Sequence, residues 1–259
     1  MWASLRFWGT ALLSLAALPV IVTLIADGPI ARDAPVWEVF RAGVMLLAGA
    51  WTGGRAQSRN IGRIFLFGGL LGMVRLVCEL PDLVIASDGM AASWEEWLRY
   101  WIWVPQVMAP LLLATAISPD GRSALPIAVK VSVLAIAATS VTVATCNWPR
   151  SDGGAGYNPA LLPPLLQDLP GVIAFAAVPA AVALVLASLV IRWNAGEAAV
   201  RRSLLYPLAA LLLGIAYALL RPALPEAAGD TWEVFPPIYC AVLALVARPL
   251  RRVRRPRPL

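Results

Sequence analysis

The stretch from Asn60 to Pro81 reads NIGRIFLFGGLLGMVRLVCELP. It follows a basic loop holding Arg55 and Arg59, runs through apolar residues, and leaves into a loop with Asp82, Asp88, Glu95 and Glu96 and no base. A helix needs about 20 mostly apolar residues to cross a hydrocarbon core of about 30 Å, and this stretch has that length. Its flanks differ in charge, so the other apolar segments can be oriented against it.

The composition agrees. Of 259 residues, 60% are hydrophobic, against roughly 45–50% in soluble domains. The net charge of +6 first suggests nucleic acid, but the placement of the bases argues against it. Lys130 is the one lysine, and Arg248, Arg251, Arg252, Arg254, Arg255 and Arg257 crowd beside an apolar segment. That pattern suits anionic headgroups or an orientation signal, and no nucleic-acid partner is expected.

Histidine is absent, which removes the commonest general base, the commonest metal ligand and the phosphoacceptor of a histidine kinase. Cys78, Cys146 and Cys240 are far apart, so neither a disulfide framework nor a metal site is indicated. Cys78 and Cys146 both fall toward the outer face, and a bond between them stays open beside the reading as buried thiols. With no phosphate loop and no activated nucleophile, the chain is expected to be no enzyme and to carry no cofactor.

Eight spans follow, at about 7–26, 36–51, 61–80, 97–117, 125–145, 171–191, 203–220 and 232–247. The first lacks the short apolar region and small-residue cleavage point of a signal peptide and is expected as a retained helix. Residues 146–170, with Gly153, Gly154, Gly156 and several prolines, are read as a connection whose Asn158–Leu166 part lies on the membrane or re-enters it. Residues 1–247 are thus a single integral membrane domain and 248–259 a basic tail.

Arginines set the orientation. Arg6, Arg55, Arg59, Arg63, Arg122, Arg192, Arg201, Arg202 and the tail arginines fall on one side, against Arg32, Arg150 and Arg221 on the other. The expected fold is therefore an all-α polytopic transmembrane bundle with both termini cytoplasmic. Most acids fall on the outer side, and Trp37-Glu38, Ser93-Trp94-Glu95-Glu96 and Trp232-Glu233 open the descending helices. Tryptophan at the interface and glutamate at the positive helix end account for that echo.

Arg75, Glu79, Arg99 and Lys130 stand inside spans, where a charge at mid-bilayer costs at least ~2.5–3.5 kcal/mol. Lys130 reads as a snorkelling anchor. For Arg75, Glu79 and Arg99 two readings stay open: pairing and snorkelling near the outer interface, or the lining of a pocket for an amphipathic or anionic ligand. Arg201, Arg202, Arg251, Arg252, Arg254 and Arg255 are candidates for membrane orientation or partner contact.

Several motifs in order resemble the N-terminal membrane region of actinobacterial sensor histidine kinases. They are Asn60-Ile61-Gly62-Arg63 at a span start, Trp97 to Trp103 closing on Ser118-Pro119-Asp120-Gly121-Arg122, Asn158-Pro159, and Arg192-Trp193 with Gly196-Glu197 and Arg201-Arg202. Arg63 stands where that family has an aromatic residue, Ser118 where it has phenylalanine, and the glutamine of the last motif is absent. The family continues into a phosphoacceptor helix and an ATP-binding domain. Neither is present in this sequence, so kinase activity is not expected of it.

The resemblance implies a membrane-embedded, sensor-like module of the bacterial plasma membrane, coupling an envelope or lipophilic signal to a separately encoded histidine kinase or regulator. A homodimer is compatible with it. The alternatives are a small transporter or lipid-handling protein, and a remnant that folds but transmits nothing.

Overall fold

The computed structural model describes residues 36–54, 58–78, 97–98, 101–145, 158, 160–220, 239, 241 and 243. Among them the chain forms α1 (Val36–Gly53), α2 (Arg59–Cys78), α3 (Trp103–Ile117), α4 (Pro126–Thr145), α5 (Pro164–Ala195) and α6 (Ala198–Leu220), with no strand among the described residues. The expected span at 7–26 lies outside them. Of that at 232–247, Tyr239, Ala241 and Leu243 are described, and all are helical.

Three helices are long and apolar enough to cross a membrane: α2, α4, and α5 from Asp168 to Ala195. Val39–Gly53 and Trp103–Ile117 are shorter apolar helices. Large apolar side chains point outward, among them Phe175 at 85% exposure and Val172 at 65%. In water such a surface would be an aggregation liability, whereas hydrocarbon covers it without cost. Within the helices, Thr52, Ser132, Thr142 and Thr145 donate their hydroxyls to the carbonyl four residues back, at 2.7 Å each. Each hydroxyl is thereby satisfied without water.

The α1–α2 hairpin packs backbone against backbone. A Cβ on Gly62 would stand 2.4 Å from the Gly53 nitrogen, one on Gly49 2.8 Å from the Leu66 nitrogen, and one on Gly69 2.7 Å from the Leu46 side chain. Small residues permit this approach, which in lipid replaces the missing hydrophobic drive with dispersion contact. Gly68 sits between α1 and α3, where a Cβ would approach the Met45 sulfur to 3.1 Å and the Gln106 carbonyl of α3 to 3.2 Å. Pro110 has no N–H to give that carbonyl, so the helix cannot close its normal turn there.

The consequence is a π-helical segment, Ala109–Ala114, inside α3. The Thr115 N–H turns to the Leu112 carbonyl, and the Leu111 carbonyl accepts from the Thr115 hydroxyl at 2.5 Å and from the Tyr239 phenol at 3.4 Å. Thr115 and Tyr239 are also hydrogen-bonded to each other. Tyr239 and Leu243 complete a buried cluster with Met45, Ala48, Ile61, Phe65, Ala114 and Ile117. The last described segment thus fills the space between α1, α2 and α3. A second core joins α4 and α5 through Ala135, Ala177 and Ala181 with Leu112.

Helix α5 extends into the connection expected at 146–170. Helix α5 begins at Pro164, seven residues before the expected start at 171, and carries Pro170 and Pro179 inside it. Proline at the first helical turn costs nothing, because that N–H has no partner in any helix. With 32 residues, α5 is about 48 Å long at 1.5 Å per residue, longer than a bilayer core. Cys146 and residues 147–157 lie outside the described residues, so the Cys78–Cys146 bond does as well. Cys78 is half-buried at the end of α2.

Gly62→Ala should lower the unfolding temperature in detergent micelles by several degrees, since overpacking against backbone costs about 1–3 kcal/mol. Gly171→Ala should leave it unchanged or raise it, because the nearest neighbour of that Cβ is 3.7 Å away and alanine is the better helix former.

Candidate functional site: an arginine-tied loop cluster

Helix α3 ends at Ile117, and its next residues form the turn Ser118-Pro119-Asp120-Gly121-Arg122. Gly121 adopts φ 77, a left-handed conformation open to glycine at no steric cost. Its N–H closes an α-turn on the Ile117 carbonyl at 2.8 Å. Asp120 Oδ1 accepts from the Arg122 N–H at 3.3 Å. The turn is thereby fixed before any other element reaches it.

Arg192, in the last turn of α5, grips this turn. Its Nη2 donates to Asp120 Oδ1 at 2.8 Å and to the Arg122 carbonyl, and its Nη1 to the Ser118 carbonyl. The Arg192 side chain is 13% exposed and that of Asp120 54%, so the ion pair itself is solvent-screened. The two carbonyl contacts from one planar fork supply the geometry that a lysine lacks. A cation at the C-terminal turn of α5 also complements the helix dipole.

Two further contacts converge here. Asn60, in the first turn of α2, extends its amide to the Gly121 carbonyl at 3.4 Å, and Ser123 Oγ lies 3.4 Å from Ser188 Oγ of α5. Beyond α5, Arg201 Nε donates to the carbonyls of Trp193 at 3.0 Å and Gly196 at 2.9 Å, clamping the turn into α6. Arg202 is exposed. The connections α1–α2, α3–α4 and α5–α6 therefore meet at one end of the bundle, and it carries Arg59, Arg63, Arg122, Arg192, Arg201 and Arg202.

The opposite end has its own knot. The Ala144 carbonyl, one of the last four of α4 and so without an intrahelical donor, accepts from Trp97 Nε1 at 2.6 Å and from Asn158 Nδ2 at 2.9 Å. Asn158 Oδ1 takes the Ala160 N–H at 2.8 Å. Trp97 and Trp101 contact each other with ring centroids 5.5 Å apart. Asn158 is thus a buried post on which the long connection turns back to the bundle.

Of the residues singled out for a ligand pocket, Arg75 is described: it is half-buried in the last turn of α2. Glu79 and Arg99 lie outside the described residues, as do Arg251, Arg252, Arg254 and Arg255. Lys130 is exposed. Sequence reasoning passed over Arg41, which is 2% exposed in α1. Antiparallel register from Gly53 against Gly62 and Leu46 against Gly69 puts Arg41 level with Val74, beside Arg75. A buried guanidinium in an apolar helix is the signal by which it is recognisable.

Comparison of the chain with protein-family models, with curated proteins and with solved structures finds no match. The functional reading rests on geometry and on the order of the motifs. No group of three or more histidine, cysteine, aspartate or glutamate side chains able to hold a metal occurs among the described residues.

Arg192→Gln should destabilise the protein by about 1.5–3 kcal/mol, the range for hydrogen bonds to charged groups. Asp120→Asn should cost no more than about 1 kcal/mol, because its partner contact is screened. Thermal unfolding in micelles gives both values. Thiol labelling of Ser118→Cys, at a position with no exposure, should rise only in the Arg192→Gln background. An Asp120→Asn cost as large as that of Arg192→Gln would make the carboxylate the anchor instead.

Proposed function

We propose that this chain is a multi-pass membrane protein of about eight spans, with both termini in the cytoplasm, and that it works as a sensor-like module. The observation that carries this is the Arg192 knot. One guanidinium ties the α3–α4 connection to α5, and Asn60 adds the start of α2. Displacement of any of these helices within the membrane is felt at the same surface, which is what a module that reports to a partner requires. The bacterial plasma membrane is the compartment in which the basic end would face the cytoplasm.

In this reading the basic end, continued by the tail arginines, is the output. The partner is a separately encoded histidine kinase or response regulator, and the resemblance to the membrane regions of sensor kinases points the same way. The input lies at the other end, where Arg41 and Arg75 share a level and Glu79 and Arg99 are near in sequence to the outer interface. An amphipathic or anionic ligand suits that set. Lipid handling is the second reading, favoured by an apolar groove on α2, α3 and α4.

Crosslinking in cells followed by purification should recover a kinase or regulator, and deletion of Arg248 to Leu259 should abolish its recovery. Recovery of neither from the intact chain sinks the sensor reading. A reporter fused after Leu259 should be active in the cytoplasm only; activity outside overturns the orientation.

A further inference from the structure

On the face of the bundle formed by α2, the π segment of α3, and α4 lies a groove of about 320 Å³. Its walls include Phe67 on α2, Ala109 and Leu113 on α3, and Val133 and Ala137 on α4, and Arg63 stands at one end. Except for that arginine, every lining side chain is apolar. The groove opens outward, since Phe67 and Val133 are each about half exposed. Its existence follows from the backbone: alanines at 109 and 137 leave short walls, and the wide turn beginning at Ala109 displaces α3 from its regular path.

Both flanking helices, α2 and α4, are long and apolar enough to cross a membrane, so what meets the groove is hydrocarbon. The volume holds roughly ten groups the size of a water molecule or a methylene, at about 30 Å³ each. That is a large part of one acyl chain. Arg63 is exposed, sits one turn into α2 at the basic end of the bundle, and makes no hydrogen bond or ion pair among the described residues. A phosphate at the head of that chain would meet a guanidinium whose fork matches its oxygens.

We propose that this groove seats one acyl chain of an anionic phospholipid, with the lipid phosphate on Arg63. Arg63 is the one charged side chain of the lining and gives the groove its cationic end. The occupant belongs to the leaflet that faces the basic loops, so the naming of that leaflet as cytoplasmic rests on the orientation given under Proposed function, and the site itself does not.

The test uses the full chain purified in a mild detergent. Phosphatidylglycerol or phosphatidylcholine is added in titration, and bound lipid is counted by native mass spectrometry. The wild type should retain one phosphatidylglycerol in preference to phosphatidylcholine. Arg63→Gln should weaken that binding about tenfold, the equivalent of one charge-assisted hydrogen bond. Ala137→Phe, which fills the groove from an exposed position on α4, should abolish it, with Val133→Trp as a second blocking variant should the first fold poorly. Arg202→Gln, an exposed base at the same end, should leave it unchanged.

Retention undiminished by both blocking variants overturns the groove. Equal losses in Arg63→Gln and Arg202→Gln overturn the specific headgroup contact in favour of general attraction to the basic end, and equal retention of the two lipids overturns the charge requirement. A reporter after Leu259 active outside the cytoplasm, with selective binding intact, overturns the orientation and leaves the site standing. Loss of binding specificity with a cytoplasmic reporter overturns the site alone.

Discussion

A guanidinium held against two backbone carbonyls and a carboxylate is the contact on which the arrangement of the apolar helices depends. In an apolar bundle the helices have no hydrophobic reason to prefer one neighbour over another, because lipid tails are as apolar as leucine. Orientation has to come from polar groups that cannot be left unpaired. Arg192 supplies several such bonds at once to a turn already closed by Gly121 and Asp120. The Ala144 carbonyl, with Trp97 and Asn158 as donors, does the same at the far end. Between these two knots the helices need only fit, and they do so through glycines and alanines.

The helices were legible because hydropathy over about 20 residues is a strong signal. Helix α2 covers Arg59–Cys78 and α4 covers Pro126–Thr145, where an apolar run bounded by loops leaves little choice. Helix α5 begins before the expected span at 171–191 because Pro163 and Pro164 occupy its N-cap and first turn, although prolines look like loop residues. The π segment left no mark except Pro110. A proline in an apolar run predicts a disturbed turn, and whether that turn widens or kinks depends on what packs on it. Here Gly68 of α2 comes close to the Gln106 carbonyl, which no pattern within α3 encodes.

The candidate site was legible in pieces. Each short motif has a physical occupation: Asn60 reaches the Gly121 carbonyl, Ile61 is buried in the core, Gly62 lets α1 approach, and Arg63 ends a groove. Asp120 and Arg192 form an ion pair across 72 residues. The sequence shows both, in segments assigned to the same side, but it carries no sign that they meet. Arg41 was hidden for the opposite reason: a single arginine near the start of a span looks like a snorkelling side chain, and only burial distinguishes it.

Tyr239 introduces an order in time. The chain is made from its N-terminus, and α1, α2 and α3 are complete when residue 117 has been added. The slot among Met45, Phe65 and Ala114 and the Leu111 carbonyl then await a side chain more than a hundred residues away. Until Tyr239 arrives, the first half of the bundle is held by the glycine contacts of α1 and α2 and by a π segment whose Leu111 carbonyl accepts from the Thr115 hydroxyl. The last described segment is therefore a keystone for the early helices.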